Sequence, residues 1–170
     1  MHQELAFCPD LTVAENLCLG HYPRRAWRFV DKAAMQRRAI DMLGRIGVML
    51  DVRQTMRRLS TAQEQLVQIA QAVGTGARIL IFDEPTSSLS EKESQHLFDL
   101  IGTLKQRGVT MIYVSHRLPE VLHLCDRISV LRDGQYVGTL DKQDATRDRI
   151  VQMMIGRSVE DYFPHHLERD

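Results

Sequence analysis

The sequence predicts an α/β fold: a helical subdomain followed by a parallel sheet that an antiparallel hairpin edges. Three observations lead there. The run ILIF, residues 79–82, is a continuous apolar strand of the kind expected when both faces are covered, and Val109–Val114 is a second. Between them lies a helical repeat, so the order strand–helix–strand makes a βαβ unit. Asp133-Gly134 then separates two further strand-like runs, a strong hairpin signal.

The elements follow in order. A short helix begins after Pro9-Asp10, capped by Thr12, and Gly20 is its stop. Residues 22–29 are basic and aromatic and read as a connection. From Ala33 to Leu50 a helix carries Ile40, Leu43 and Ile46 at a helical repeat. Ser60 with Gln63 forms a capping box for the next helix, whose buried stripe is Leu66, Ile69, Ala70 and Val73; Gly74 and Gly76 end it. Ser90 with Glu93 caps another, marked by Leu97, Leu100, Ile101 and Leu104 and closed by Gly108. A short helix spans Val121–Cys125, the hairpin pairs Ile128–Leu131 with Gln135–Leu140, and a last helix covers Ala145–Ile155. Residues 157–170 read as a polar tail.

Composition narrows the function classes. Lysine plus arginine equal aspartate plus glutamate at 22 each, which removes any global charge argument for nucleic acid or membrane. From His21 to Arg58, however, ten basic residues face three aspartates, either a surface for an acidic partner or a solvated helix face. Cys8, Cys18 and Cys125 are scattered without metal-type spacing, which fits a reducing compartment. No apolar run approaches the ~20 residues a membrane span needs.

The chemistry concentrates at two strand ends. Open α/β sheets bind ligands beyond the carboxyl ends of their strands. Asp83-Glu84 stands at one such end and Ser115-His116 at the next, so the crossover is expected to bring them to one rim. That set suits a Mg-phosphate site: Asp83 for the metal, Glu84 to orient or deprotonate water, and His116 as a donor over the terminal phosphate. Taken singly, an Asp-Glu after a strand can be a turn or cap carboxylate, and a Ser-His a surface histidine. The ordered combination is more specific.

ILIFDEPTSSLS resembles the Walker B strand and D-loop of an ABC-type ATPase, VSHRL its switch histidine, and LSTAQEQLVQIAQAV its signature helix, about twenty residues before the carboxylates. HQELAFCPDLTVAENLCLG is similar to the Q-loop and the start of the helical subdomain, with Gln3 at the Q-loop position. These motifs and IGRSVEDYFP resemble the first nucleotide-binding half of tandem ATPases that energise bacterial monosaccharide importers of the ribose/galactoside type. The resemblance implies a P-loop NTPase fold with ATP and Mg2+ as cofactors. It implies Glu84 and His116 as catalytic residues, and Asp83 with Gln3 at the metal. Ser60, Thr61, Ala62, Gln63 and Ser90 would contact nucleotide or the dimer seam. Implied partners are a second nucleotide-binding domain, membrane-spanning permease subunits and, indirectly, a periplasmic sugar-binding protein, with no nucleic acid. The place would be the cytoplasmic face of the inner membrane. The implied organisation is a Q-loop region over 1–8, a helical subdomain over 9–75, a catalytic core over 76–156 and a tail or linker over 157–170.

Three departures qualify this. The usual Leu-Ser-Gly-Gly-Gln reads Leu-Ser-Thr-Ala-Gln, so Thr61 and Ala62 limit close approach and φ > 0 conformations. The D-loop ends in Ser90 where aspartate is usual. No GxxxxGK[ST] occurs in the 170 residues. The chain therefore reads as the downstream part of a domain, expected to bind ATP poorly alone and to leave its central strand uncovered and aggregation-prone. A non-catalytic truncated remnant, or a soluble ABC-type ATPase of translation or DNA repair, are the alternative functions.

Overall fold

The computed structural model describes residues 7–25 and 29–156. It divides into two compact units, Met1–Ile112 and Tyr113–Asp170.

The first unit opens with α1 (Val13–Leu17). Thr12 caps it, and Glu15 returns the bond, completing a capping box. A minimal antiparallel pair follows, β1 (Arg24–Arg25) with β2 (Phe29–Val30), inside the stretch read as a connection. Then come α2 (Lys32–Arg45), capped by Asp31, and a 3-10 turn, Met56–Arg58. Next are α3 (Thr61–Gly74), β3 (Ile79–Asp83), α4 (Glu91–Gln106) and β4 (Thr110–Val114), which runs across the division between the units. β3 and β4 form a two-stranded parallel sheet, with α4 as the crossover that the βαβ reading requires.

Helices α1, α2 and α3 pack on one another around Val13, Leu17, Met35, Ala39, Met42, Leu43 and Val67. Gly74, the last residue of α3, lets α2 come close: a Cβ there would meet the Met42 side chain at 2.6 Å. Asn16 on α1 is 1% exposed and organises the entry loop. Its Oδ1 accepts from the Cys8 N–H at 2.9 Å, and its Nδ2 lies within 3.3 Å of the Cys8, Leu11 and Thr12 carbonyls. Backbone bonds from Val13 and Ala14 to Gln54 and Val52, and from Met56 to Leu11, tie this loop to the segment that leads into α3.

Several expectations need correction. Ile40 is 58% exposed, so the buried side of α2 is Met35, Ala39, Met42 and Leu43, with Ile46 buried at the cap. In α3 the buried residues are Val67, Ile69 and Ala70, while Leu66 and Val73 are half-buried. An apolar arc wider than one stripe does not reveal which of its edges meets a neighbour. The strand run over 79–82 alternates: Leu80 and Phe82 are buried, while Ile79 and Ile81 are 58% and 68% exposed. A continuous apolar run marks both faces as apolar; the described residues cover one. The four-residue stripe of α4 is buried as expected.

The second unit packs α5 (Leu118–Leu124) and α6 (Arg147–Ile155) with the hairpin of β5 (Arg127–Arg132) and β6 (Gln135–Asp141). Asp133 and Gly134 both take positive φ, 52° and 75°, as a two-residue turn of this type requires. Val121, Ile128, Val130, Leu140 and Ile150 form the core.

The capping boxes make a pH prediction. Bonds from the Thr12 hydroxyl, then from its backbone N–H, hold the Glu15 carboxyl below its ordinary range, and Ser90 does the same to Glu93. A carboxyl whose folded pKa is depressed stabilises the fold above its unfolded pKa, about 4.3 for Glu, and loses that contribution as pH falls through the folded value. Melting temperature is expected to drop between about pH 5 and pH 3, and thermal scans should show a shallower drop in Thr12→Ala.

Candidate functional site

The carboxylate pair sits where β3 ends. Asp83 is the last strand residue, and Glu84 turns the chain with φ 47°, one of only two non-glycine residues with positive φ among those described. A left-handed glutamate is uncommon, and such backbone persists only where its surroundings over-determine it. Here the Ser87 N–H donates to the Glu84 carbonyl at 3.2 Å, Leu89 does so to Thr86, and Pro85 and Thr86 are buried. The turn runs into Ser90, which caps α4 with Glu93. Asp83 is exposed and Glu84 half-buried.

The signature segment is a capped helix start. The Gln63 N–H donates to Ser60 Oγ at 3.3 Å, and the Ser60 N–H donates to Gln63 Oε1 at 3.0 Å. Ser60 has extended backbone, φ −73° and ψ 160°, and Thr61 opens α3. Neither Thr61 nor Ala62 has a positive φ, so replacing glycine costs this turn no backbone strain; only side-chain bulk changes. Free amides at a helix N-terminus of this length favour an anion.

Sequence reasoning missed a residue on this helix. Gln65 Nε2 donates to the Pro85 carbonyl at 2.7 Å, which ties α3 to the turn that carries Glu84. A polar residue among half-buried neighbours gives no sign in the sequence of a partner twenty positions away.

In the second unit His116 is exposed, two residues beyond the end of β4. Its loop is held by Glu120, which is 6% exposed. Tyr113 Oη donates to Glu120 Oε2 at 2.7 Å, Ser115 Oγ reaches the same oxygen at 3.4 Å, and the Arg117 guanidinium pairs with Oε1 at 2.7 Å. The Arg117 N–H donates to Ser115 Oγ at 3.0 Å. Both residues flanking His116 are thus tied to one buried carboxylate. The only local signal was the i, i+3 spacing of Arg117 and Glu120.

Gln3, expected at the metal, lies outside the described residues, as do residues 157–170. Among the described residues no group of three or more His, Cys, Asp or Glu side chains gathers into a metal cage. Mg2+ is held by one or two carboxylates together with water and substrate phosphates rather than by a dedicated cage, so an exposed oxygen donor such as Asp83 suits it.

A family profile described as ABC transporter matches residues 1–87. The ribose import ATP-binding protein RbsA 1 of Burkholderia ambifaria is 47% identical over 166 residues, 96% of this chain and 32% of the relative. RbsA of Geobacillus kaustophilus is 48% identical over 96% of this chain and 33% of its own length. A putative ribose/galactose/methyl galactoside import ATP-binding protein of Agrobacterium fabrum is 47% identical over 99% of this chain and 33% of its own. The chain thus spans about a third of the length of these curated relatives. Among solved structures, a dimeric ATP-binding cassette in a post-hydrolysis state with ADP and Pi matches with a TM-score of 0.65 at 25% identity, over 83% of this chain and 61% of that one. A nucleotide-free cassette from an ABC transporter matches at 0.68 and 22% identity, over 85% and 63%, a likeness of fold.

Proposed function

This chain belongs to the ABC transporter family, and from that premise we propose that it carries the signature and hydrolysis elements of an ATP-driven sugar importer. The observation that carries the reading is the left-handed Glu84 turn directly after the Asp83 strand end. Backbone strain held at an acidic residue, in the family's hydrolysis motif, is what a positioned catalytic carboxylate needs. The names of relatives 47–48% identical to it, ribose import and ribose/galactose/methyl galactoside import ATP-binding proteins, support sugar import as the transport class.

Each residue then has one task. Glu84 accepts the proton of the attacking water, or aligns that water in line with the terminal phosphate. His116 donates to the γ-phosphoryl oxygens as charge develops there. Asp83, with Gln3, would hold Mg2+, which when bound neutralises phosphate charge. The amides at the start of α3, fixed by Ser60 and Gln63, bind the γ-phosphate held by a second nucleotide-binding domain. Thr61 and Ala62 narrow that approach, and Ser90 leaves the dimer seam without the usual aspartate.

We assign residues 9–75 to the subdomain that docks permease subunits, 76–156 to the catalytic core, 1–8 to the Q-loop and 157–170 to a tail or linker. No helix among the described residues is long and apolar enough to cross a membrane, so attachment to the cytoplasmic face of the membrane would run through those permeases. The periplasmic sugar-binding protein would act through them too. No glycine-lysine phosphate loop occurs in the 170 residues, so the chain alone is expected to bind Mg-ATP weakly and turn it over slowly.

Nucleotide titration of the purified chain, and phosphate release in the assembled transporter, test this reading. His116→Ala is expected to lower hydrolysis in the assembly about 100-fold or more. Micromolar Mg-ATP affinity of the isolated chain would overturn the weak-binding part. An assembly that hydrolyses equally well without the imidazole would overturn the role of His116.

A further inference from the structure

We propose that Gln65 is a positioning residue: its side-chain amide clamps the turn that carries Glu84 to the signature helix. The catalytic meaning of the clamp rests on the ATPase reading above; the clamp itself rests on geometry within the first unit.

The orientation of the amide is fixed by its partner. Pro85 offers a carbonyl, which can only accept, so the Gln65 NH2 group must face it across the 2.7 Å bond. That leaves Gln65 Oε1 buried without a hydrogen-bond partner among the described residues. A buried orphan acceptor is costly, and an apolar side chain of the same length would avoid it. What glutamine supplies here and leucine cannot is the donor to Pro85.

The target of that donor matters. Pro85 follows Glu84 directly, and Glu84 is held at φ 47°. The Ser87 N–H closes the turn from one side by donating to the Glu84 carbonyl at 3.2 Å, and Gln65 holds the peptide between them from the other. Over-determination of this kind is what a non-glycine left-handed residue requires. The clamp also has a second end. Gln65 lies five residues into a helix that starts at the Ser60 cap, about 7 Å along its axis. Helices move as rigid bodies over such a distance, so a displacement of the signature end reaches the Pro85 carbonyl through one hydrogen bond. Gln65 therefore links the helix end that would contact one nucleotide to the carboxylate that would act on another.

The experiment compares Gln65→Leu, which keeps the volume and removes the donor, with Gln65→Glu, which sets an oxygen against the carbonyl. Amide hydrogen exchange on the nucleotide-free chain reads the turn through Ser87, with Ala70 of α3 and Leu104 of α4 as references for intact folding. Phosphate release by the assembled transporter reads catalysis. Ser87 exchange is expected to rise about tenfold or more in both variants, with the references unchanged. In the assembly kcat is expected to fall about tenfold with KM little changed, the signature of a displaced catalytic group rather than lost binding. Unchanged Ser87 exchange overturns the clamp. Faster exchange with undiminished kcat overturns its role in positioning. If Glu84→Gln also leaves hydrolysis intact, the catalytic role given to Glu84 is what fails, and Ser87 alone decides the clamp.

Discussion

Glu84→Gln is expected to reduce Mg-ATP hydrolysis by the assembled transporter by about 100- to 10,000-fold, with nucleotide affinity little changed. The substitution keeps side-chain length and shape, so the turn through Pro85 and Thr86 has no steric reason to move. It removes the acceptor for the proton of water, a contribution felt only in the transition state. An interaction made only there lowers kcat and kcat/KM together. Asp83→Asn is the control with the opposite signature, because a weakened metal ligand costs binding of the Mg-nucleotide first. Single-turnover phosphate release, run beside equilibrium nucleotide binding, separates the two. Retention of more than about a tenth of wild-type kcat in Glu84→Gln would remove Glu84 from the chemistry.

The second large effect is on stability. Asn16→Leu is expected to destabilise the chain by about 3 kcal/mol, because it leaves buried polar groups of the entry loop unsatisfied. Asn16 is 1% exposed, and its amide reaches the Cys8 N–H and the carbonyls of Cys8, Leu11 and Thr12. Leucine packs a similar volume and answers none of them. The Cys8 N–H is recovered in Asn16→Asp, but a carboxylate is then set against three carbonyl oxygens, so that variant should be no better. For a chain of this size the shift in melting temperature is roughly 6–12 °C. Far-UV circular dichroism scans on both variants measure it. A shift under about 2 °C in Asn16→Leu would mean that water or a moved backbone satisfies the loop. Gln71 Nε2 donates to the Asn16 carbonyl at 3.3 Å, so loosening α1 is expected to reach α3 as well.

What could be read from the chain beforehand divides by range. The helix read as reaching Leu50 ends at Arg45, with Gly47 beyond it at φ 72°, but the boxes Ser60–Gln63 and Ser90–Glu93, the Thr12 cap, the Asp133-Gly134 turn and the glycine stops at Gly76 and Gly108 were legible. Each is a bond or a dihedral set by residues within about four positions. The βαβ order was legible too, because strand–helix–strand leaves one economical connection. The wording of the motifs around Asp83, Glu84 and His116 was enough to place the chain in its family.

Sequence by itself thus determined the local elements of this protein, their order and the chemistry offered at two strand ends. Tertiary structure alone decided which edge of each apolar arc is buried, as with Val67 over Leu66 and Ala39 over Ile40. It alone joined Gln65 to Pro85 and set Asn16 among the carbonyls of a loop that precedes it. It alone gave Glu120 its set of donors from a strand end and a loop. The physical reason is that a capping hydroxyl meets its amide within one helical turn whatever surrounds it, whereas a glutamine twenty residues from a carbonyl meets it only after two elements have packed.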